Sequence, residues 1–259
     1  MTWLWRIFSK LAQNPASRAT RGVAPLCVFS ALWLLPVWAA SVQGTVVLTD
    51  SRDPGVRRKK DFSGVVVWLE PTNPVASELR SLRRYRMEQK DKQFRPHVLA
   101  IPVGATVDFP NRDPIFHNVF SNYNGQVFDL ALYRPNTSKD VVFKRPGIVR
   151  VFCNIHPTMS AIIAVLDTPW FAVTNSLGAF EMPDVPSGAY SLHIFHERAT
   201  DETLRALVRA VSVDRTGPPR VLEAIRISET GYIPAPHNNK WDKQYPPPID
   251  EQPSYKTTP

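Results

Sequence analysis

The sequence predicts an all-β protein built of sandwiches, and three observations predict it. Runs rich in Val, Ile, Phe and Tyr recur at short intervals between turn signals. Several of these runs alternate strictly, as a half-buried strand must. Proline is abundant, at 25 residues, and glycine modest, at 11, in a chain of 259. That length fits one large domain or two small ones. No internal repeat stands out.

Taken in order, VQGTVVLTD alternates from Val42, breaks at the charged SRDPGVRRKKDFSG, and resumes as GVVVWLEPTN. Residues 75–92 are highly charged, with only a weak apolar stripe at Leu79, Leu82 and Tyr85, and read as a short helix or an exposed crossover. The six basic residues Arg80, Arg83, Arg84, Arg86, Lys90 and Lys92 are most simply a solvated face, a docking patch for an acidic partner being the alternative. In the next strand Val103, Ala105, Val107 and Phe109 share one face. Asn111 to Pro114 is a turn before PIFHNVFS, and VFDLALY and KDVVF follow. GIVRVFC puts Val149, Val151 and Cys153 on one face and Arg150 on the other, so Cys153 points inward at a strand end. AIIAVLD is again a strand. From Phe171 to about Ser228 five short strands alternate with turns. From Thr230 the chain is proline-rich and aperiodic, and reads as a disordered or surface-wrapping tail.

The first 39 residues predict an export signal. Arg6, Lys10, Arg18 and Arg21 precede the apolar run VAPLCVFSALWLLPVWAA, and no acidic residue occurs before Asp50. Val37-x-Ala39 satisfies the small-residue rule for cleavage after Ala39, with Ser41 as the alternative. The apolar run, interrupted by Pro25 and Pro36, is short for a membrane anchor. No membrane insertion is expected after cleavage, and the expected location is the periplasm. Cleavage removes Cys27 and leaves Cys153 as the one cysteine, so no internal disulfide can form. It also removes four basic residues, which leaves 27 against 23 acidic ones. The resulting +4, in place of the formal +8, gives little reason to expect a nucleic-acid partner.

The lone cysteine sits in VRVFCNIHPTMSAIIAV, with Cys153, His156 and Met159 at three-residue steps between two strands. Each of these side chains alone is ordinary filling. Together they can converge on one point, and His117, at a strand end, can supply a fourth donor. One thiolate, two imidazoles and a thioether suit copper. Structural zinc would call for four strong ligands, and a dinuclear copper centre for a second cysteine in the loop. A mononuclear copper site is therefore predicted. His193 and His196 are an odd number apart on a strand and face opposite ways. His97 lacks nearby partners, and His237 falls in the tail.

The run from about Met87 to Asp167 resembles the cupredoxins, on VGATVDFPNRDPIFHNVFS, FDLALY and PGIVRVFCNIHPTMSAIIAVLDTPWF. Within that family it looks like the plastocyanin- and amicyanin-like exported proteins labelled methylamine utilization proteins. The resemblance implies a Greek-key sandwich holding one type-1 copper. His117, Cys153 and His156 would be equatorial and Met159 axial, with the backbone N–H of Asn118 donating to the thiolate. Ala161 departs from the glycine common after the methionine. The resemblance further implies one-electron transfer through the edge of His156 to a redox protein such as a c-type cytochrome or a periplasmic oxidoreductase.

FAVTNSLGAFEMPDVPSGAYSLHIFHE looks like a carboxypeptidase-regulatory or prealbumin-like sandwich, the second and smaller one, and residues 42–72 look like its first strands. The expected organisation is a signal at 1–39, first sandwich strands at 42–74, an inserted cupredoxin domain at 75–168, the rest of the sandwich at 169–229 and a tail at 230–259. Residues 44–70 should then pair with residues 170–228. Two other readings compete with electron transfer: a copper carrier, and a structural or ligand-binding β-protein whose cupredoxin part is vestigial. Enzymatic chemistry finds no paired carboxylates, nucleophile motif or phosphate loop, and four ligands leave no open metal position.

Overall fold

The computed structural model of the chain describes residues 40–73, 83–122, 125–214, 219–233 and 237–245. The predicted export signal and Arg80 lie outside these residues. The described chain is nearly all β. It opens with β1 (Ala40–Thr49), the short helix α1 (Pro54–Lys59) and β2 (Val66–Pro71). Then come β3 (Arg84–Arg86), β4 (Glu88–Lys90), β5 (Gln93–Arg95), β6 (Val98–Pro102), β7 (Thr106–Pro110) and β8 (His117–Ser121). β9 (Phe128–Tyr133), β10 (Ser138–Val142), β11 (Gly147–Phe152) and β12 (Ser160–Leu166) follow. The last group is β13 (Phe171–Val173), β14 (Ala179–Val185), β15 (Gly188–Phe195), α2 (Asp201–Ala206), β16 (Arg209–Val213), β17 (Arg220–Val221) and β18 (Ile225–Ser228).

The two early strands find their partners late in the sequence. β1 pairs antiparallel with β14 and parallel with β17 and β18. β2 lies between β13 and β15, with Trp68 opposite both Phe171 and His193. These two sheets close on an apolar layer that includes Val42, Val46, Val67, Leu69, Met182 and Leu192. Between β2 and β13 the chain builds a second pair of sheets, in the orders β6-β12-β11-β8-β9 and β10-β7-β3. Their core includes Phe109, Val119, Phe143, Val151, Cys153 and Met159.

A third apolar layer lies between the two sandwiches. Along β12, Ala161, Ile163 and Val165 enter the Cys153 core, while Ile162, Ala164 and Leu166 face Val66, Val98 and Ala100. A strand buried on both faces reads as an unbroken apolar run, which is why AIIAVL shows no alternation.

The helix or crossover expected at 75–92 is replaced, among the described residues, by β3 and β4. Their alternation is hidden because exposed Arg84, Arg86 and Lys90 frame inward Met87 and Gln89, and an inward glutamine does not register as apolar. The charged connection after β1 contains α1, started by Asp53, whose Oδ1 accepts from the backbone N–H groups of Gly55 and Val56. Of the tail, residues 237–245 lie against the Cys153 loop, as described next.

Candidate metal centre

His117 opens β8 and is fully buried. The turn before it is fixed by Asn111, whose Oδ1 accepts from Asp113 N–H at 3.0 Å and whose Nδ2 donates to Ile115 O at 2.8 Å. This sets the Asp113 carboxylate 2.8 Å from Nε2 of His117. The same carboxylate accepts the backbone N–H groups of Asp91, at 2.6 Å, and Lys92, at 2.9 Å. With Nε2–H committed to Asp113, the lone pair of His117 is on Nδ1.

That Nδ1 lies 3.8 Å from the sulfur of Cys153, and Nδ1 of His156 lies 3.5 Å from it. The three potential ligand atoms all fall within 4.8 Å of one another. Cys153 is fully buried at the end of β11. Burial pushes its thiol pKa up, while backbone N–H groups of Asn118, Ile155 and His156 favour the thiolate and act in the opposite sense. The loop closes through Met159 N–H donating to His156 O at 3.0 Å and Cys153 N–H donating to Met159 O at 3.1 Å. Met159 is fully buried in the same apolar cluster as Cys153. His156 is half-buried beside exposed Pro157 and Thr158.

These residues fit a thiophilic metal. Two imidazole nitrogens, that of His117 with its lone pair set by Asp113, and one cysteine sulfur converge within apolar walls, and no carboxylate belongs to the cluster, as copper prefers and a hard cation does not. The other histidines go elsewhere: His193 to Glu70 and the Trp68 ring, His196 to Glu229, His97 to Glu197.

Several contributors escaped the sequence reading. Asp113 looked like part of a turn, and only its position four residues before His117 could have flagged it. The Asn118 side chain donates from Nδ2 to Asp129 at 2.7 Å and accepts Asn154 N–H on Oδ1 at 3.3 Å. His237, assigned to the tail, stacks on Phe152 with ring centroids 4.0 Å apart. Tyr245 donates its hydroxyl to Cys153 O at 2.7 Å. Nothing local in a proline-rich stretch announces either contact.

No protein-family model matches the chain. Over 60 residues it is 43% identical to methylamine utilization protein MauL of Methylorubrum extorquens, a match covering 23% of this chain and 53% of that protein. The chain thus spans about half the length of this relative. Among solved structures, a purple cupredoxin from Nitrosopumilus maritimus is 26% identical, with a TM-score of 0.29, over 32% of this chain and 98% of that one. A reduced amicyanin variant is 19% identical, with a TM-score of 0.30, over 39% of this chain and 98% of that one. In sequence the chain is similar to a methylamine utilization protein, and among solved structures to cupredoxins.

Proposed function

We propose that the chain is an exported mononuclear type-1 copper protein that transfers single electrons and catalyses no bond chemistry of its own. The observation that carries this reading is the convergence of His117 Nδ1, Cys153 Sγ and His156 Nδ1, with Met159 buried in the same apolar cluster as Cys153. Bound there, copper would supply a one-electron couple between Cu(I) and Cu(II). Each residue has a separate task. Asp113 holds His117 in one tautomer and orientation. Against the cost of burial, three backbone N–H groups favour negative charge on Cys153. Met159, fully buried in the same cluster as Cys153, would be the fourth residue to hold the metal. His156, half-buried beside exposed Pro157, offers the edge at which a c-type cytochrome or a periplasmic oxidoreductase would dock.

The cupredoxin module, residues 75–168, is read as an insertion into one sandwich formed by residues 42–74 and 169–229, and the strand pairing across β1 and β2 supports this. No helix among the described residues is long and apolar enough to cross a membrane. The test is an optical and EPR spectrum of residues 40–259 loaded with Cu(II), beside Cys153→Ala. An intense visible thiolate-to-copper band with narrow copper hyperfine splitting, absent in the variant, is expected. A pale signal indifferent to Cys153→Ala would overturn the reading.

A further inference from the structure

The proline-rich tail returns to the ligand loop at its sulfur-bearing end. His237 stacks on Phe152, Tyr245 donates to the carbonyl of Cys153, and the backbone N–H of Lys240 donates to Asn154 Oδ1 at 2.9 Å. Three consecutive residues, 152 to 154, are each held by a different tail residue. The edge of Tyr245 also meets the His237 ring, with centroids 5.3 Å apart, which ties the two ends of the segment together.

Lys240 makes a second contact, from Nζ to Asp129 Oδ2 at 2.7 Å. Asp129 Oδ1 holds the Asn118 side chain, and Asn118 Oδ1 accepts from Asn154. A closed circuit of hydrogen bonds therefore runs Asn118, Asp129, Lys240, Asn154 and back to Asn118. Asn118 is the residue after His117, and its own N–H is directed at the Cys153 sulfur. One tail residue thus links the strand carrying the first imidazole to the loop carrying the thiolate.

We propose that residues 237–245 form a strap that belongs to the metal centre. In it Tyr245 and Lys240 are positioning residues for Cys153 and Asn118, and the strap walls off the Phe152–Asn154 side of the loop. Its relevance to copper rests on the function proposed above, whereas the strap itself rests on the hydrogen bonds. Among the described residues, the edge formed by His156 and exposed Pro157 and Thr158 lies outside the strap. Hydrogen bonds to the residues around a metal's ligands fix the orientation of those ligands, and charge-assisted ones are the stronger.

The test compares residues 40–259 with Tyr245→Phe, Lys240→Ala and Lys240→Arg. In copper-free protein, the rate of Cys153 alkylation by iodoacetamide should rise by at least about fivefold in Tyr245→Phe and Lys240→Ala, the change one lost hydrogen bond gives. Lys240→Arg, which can still reach Asp129, should restore the slow rate. In Cu(II)-loaded protein the first two variants should shift the thiolate-to-copper band or the reduction potential at an unchanged melting temperature. Alkylation rates, band and potential all equal to wild type in both variants would reduce the strap to a passive cover and overturn the proposal. A wild-type protein without any thiolate-to-copper band would remove the copper reading, and the alkylation rates alone would then decide the strap.

Discussion

Asp113 Oδ2 lies 2.8 Å from His117 Nε2, and both side chains are buried. The carboxylate also takes two backbone N–H groups from the turn between β4 and β5, so it is itself held in place. Burial alone would raise the pKa of Asp113, but the Lys92 and Asp91 amides and His117 outweigh it and keep the carboxyl below its ordinary range. Removing it should damage both the fold and the centre. Asp113→Ala leaves three donors without an acceptor, at about 1–3 kcal/mol for each one that stays buried. It should also lower copper affinity about 10–100-fold, as loss of a histidine's supporting hydrogen bond does. Chelator competition and urea unfolding measure the two effects. Unchanged copper affinity in a folded Asp113→Ala protein would remove Asp113 from the site.

Ile162 and Ile163 are neighbours on β12, both nearly inaccessible, yet they face different layers. Truncating either to alanine should cost about 2–5 kcal/mol by urea unfolding. Only Ile163→Ala opens the core that contains Cys153 and Met159, so only it should shift the thiolate-to-copper band. A band shift confined to Ile162→Ala would mean the faces are assigned the wrong way round.

How far the sequence could be read follows from where each partner lies. Cys153, His156 and Met159 share one seven-residue loop, so local spacing sufficed to group them. His117 was legible because a strand-end histidine fitted the missing donor. The Asp113 contact needed the turn to be seen folded, since an aspartate in NRDP is explained by turn chemistry alone. The strands β3 and β4 were masked by arginine and lysine on their exposed faces, the usual dressing of a short or edge strand. The tail contacts were illegible for a different reason. Lys240 and Tyr245 reach residues more than 80 positions earlier, through directional hydrogen bonds that leave no periodic trace.

Gly178 tests the other sandwich. Its φ is +76°, and a Cβ there would stand 2.0 Å from Val46 O, against the backbone of β1. The same carbonyl-bearing residue donates its N–H to Gly178 O at 2.8 Å, so the two backbones are pinned together. Gly178→Ala should lower stability by more than the roughly 1–2 kcal/mol of left-handed backbone alone. Thermal unfolding reads the loss. At temperatures where the variant is folded, its copper spectrum should match wild type, because Gly178 packs against β1 and Phe62 and not against the Cys153 core. A variant as stable as wild type would contradict the β1–β14 approach.

His97 and Glu197 staple the two sandwiches together, with His97 Nε2 at 2.9 and 3.0 Å from the two carboxylate oxygens and Nδ1 at 3.1 Å from Ser160 O. The Glu197 hydrogen bond raises the pKa of His97 above its ordinary 6.5, against the opposing effect of burial. Burial pulls Glu197 upward, but His97 and Arg198 outweigh it and hold the carboxyl below its ordinary 4.5. The raised histidine contributes stability that is complete below pH 6.5 and is lost as pH climbs through its folded-state value. The depressed glutamate contributes stability that is complete above pH 4.5 and is lost as pH falls through its folded-state value. The staple is therefore strongest between these two ordinary values. Nearby His196 is shifted down by burial and favours folding as pH rises toward 6.5, but it is present in wild type and variant alike and cancels in their difference. Urea midpoints of wild type and His97→Gln should differ most between pH 4.5 and 6.5, with wild type the more stable there, and the gap should narrow as pH rises above 6.5. A gap that stayed constant through that rise would show that His97 acts only through its packing and its bond to Ser160, and that no proton is gained when the sandwiches close.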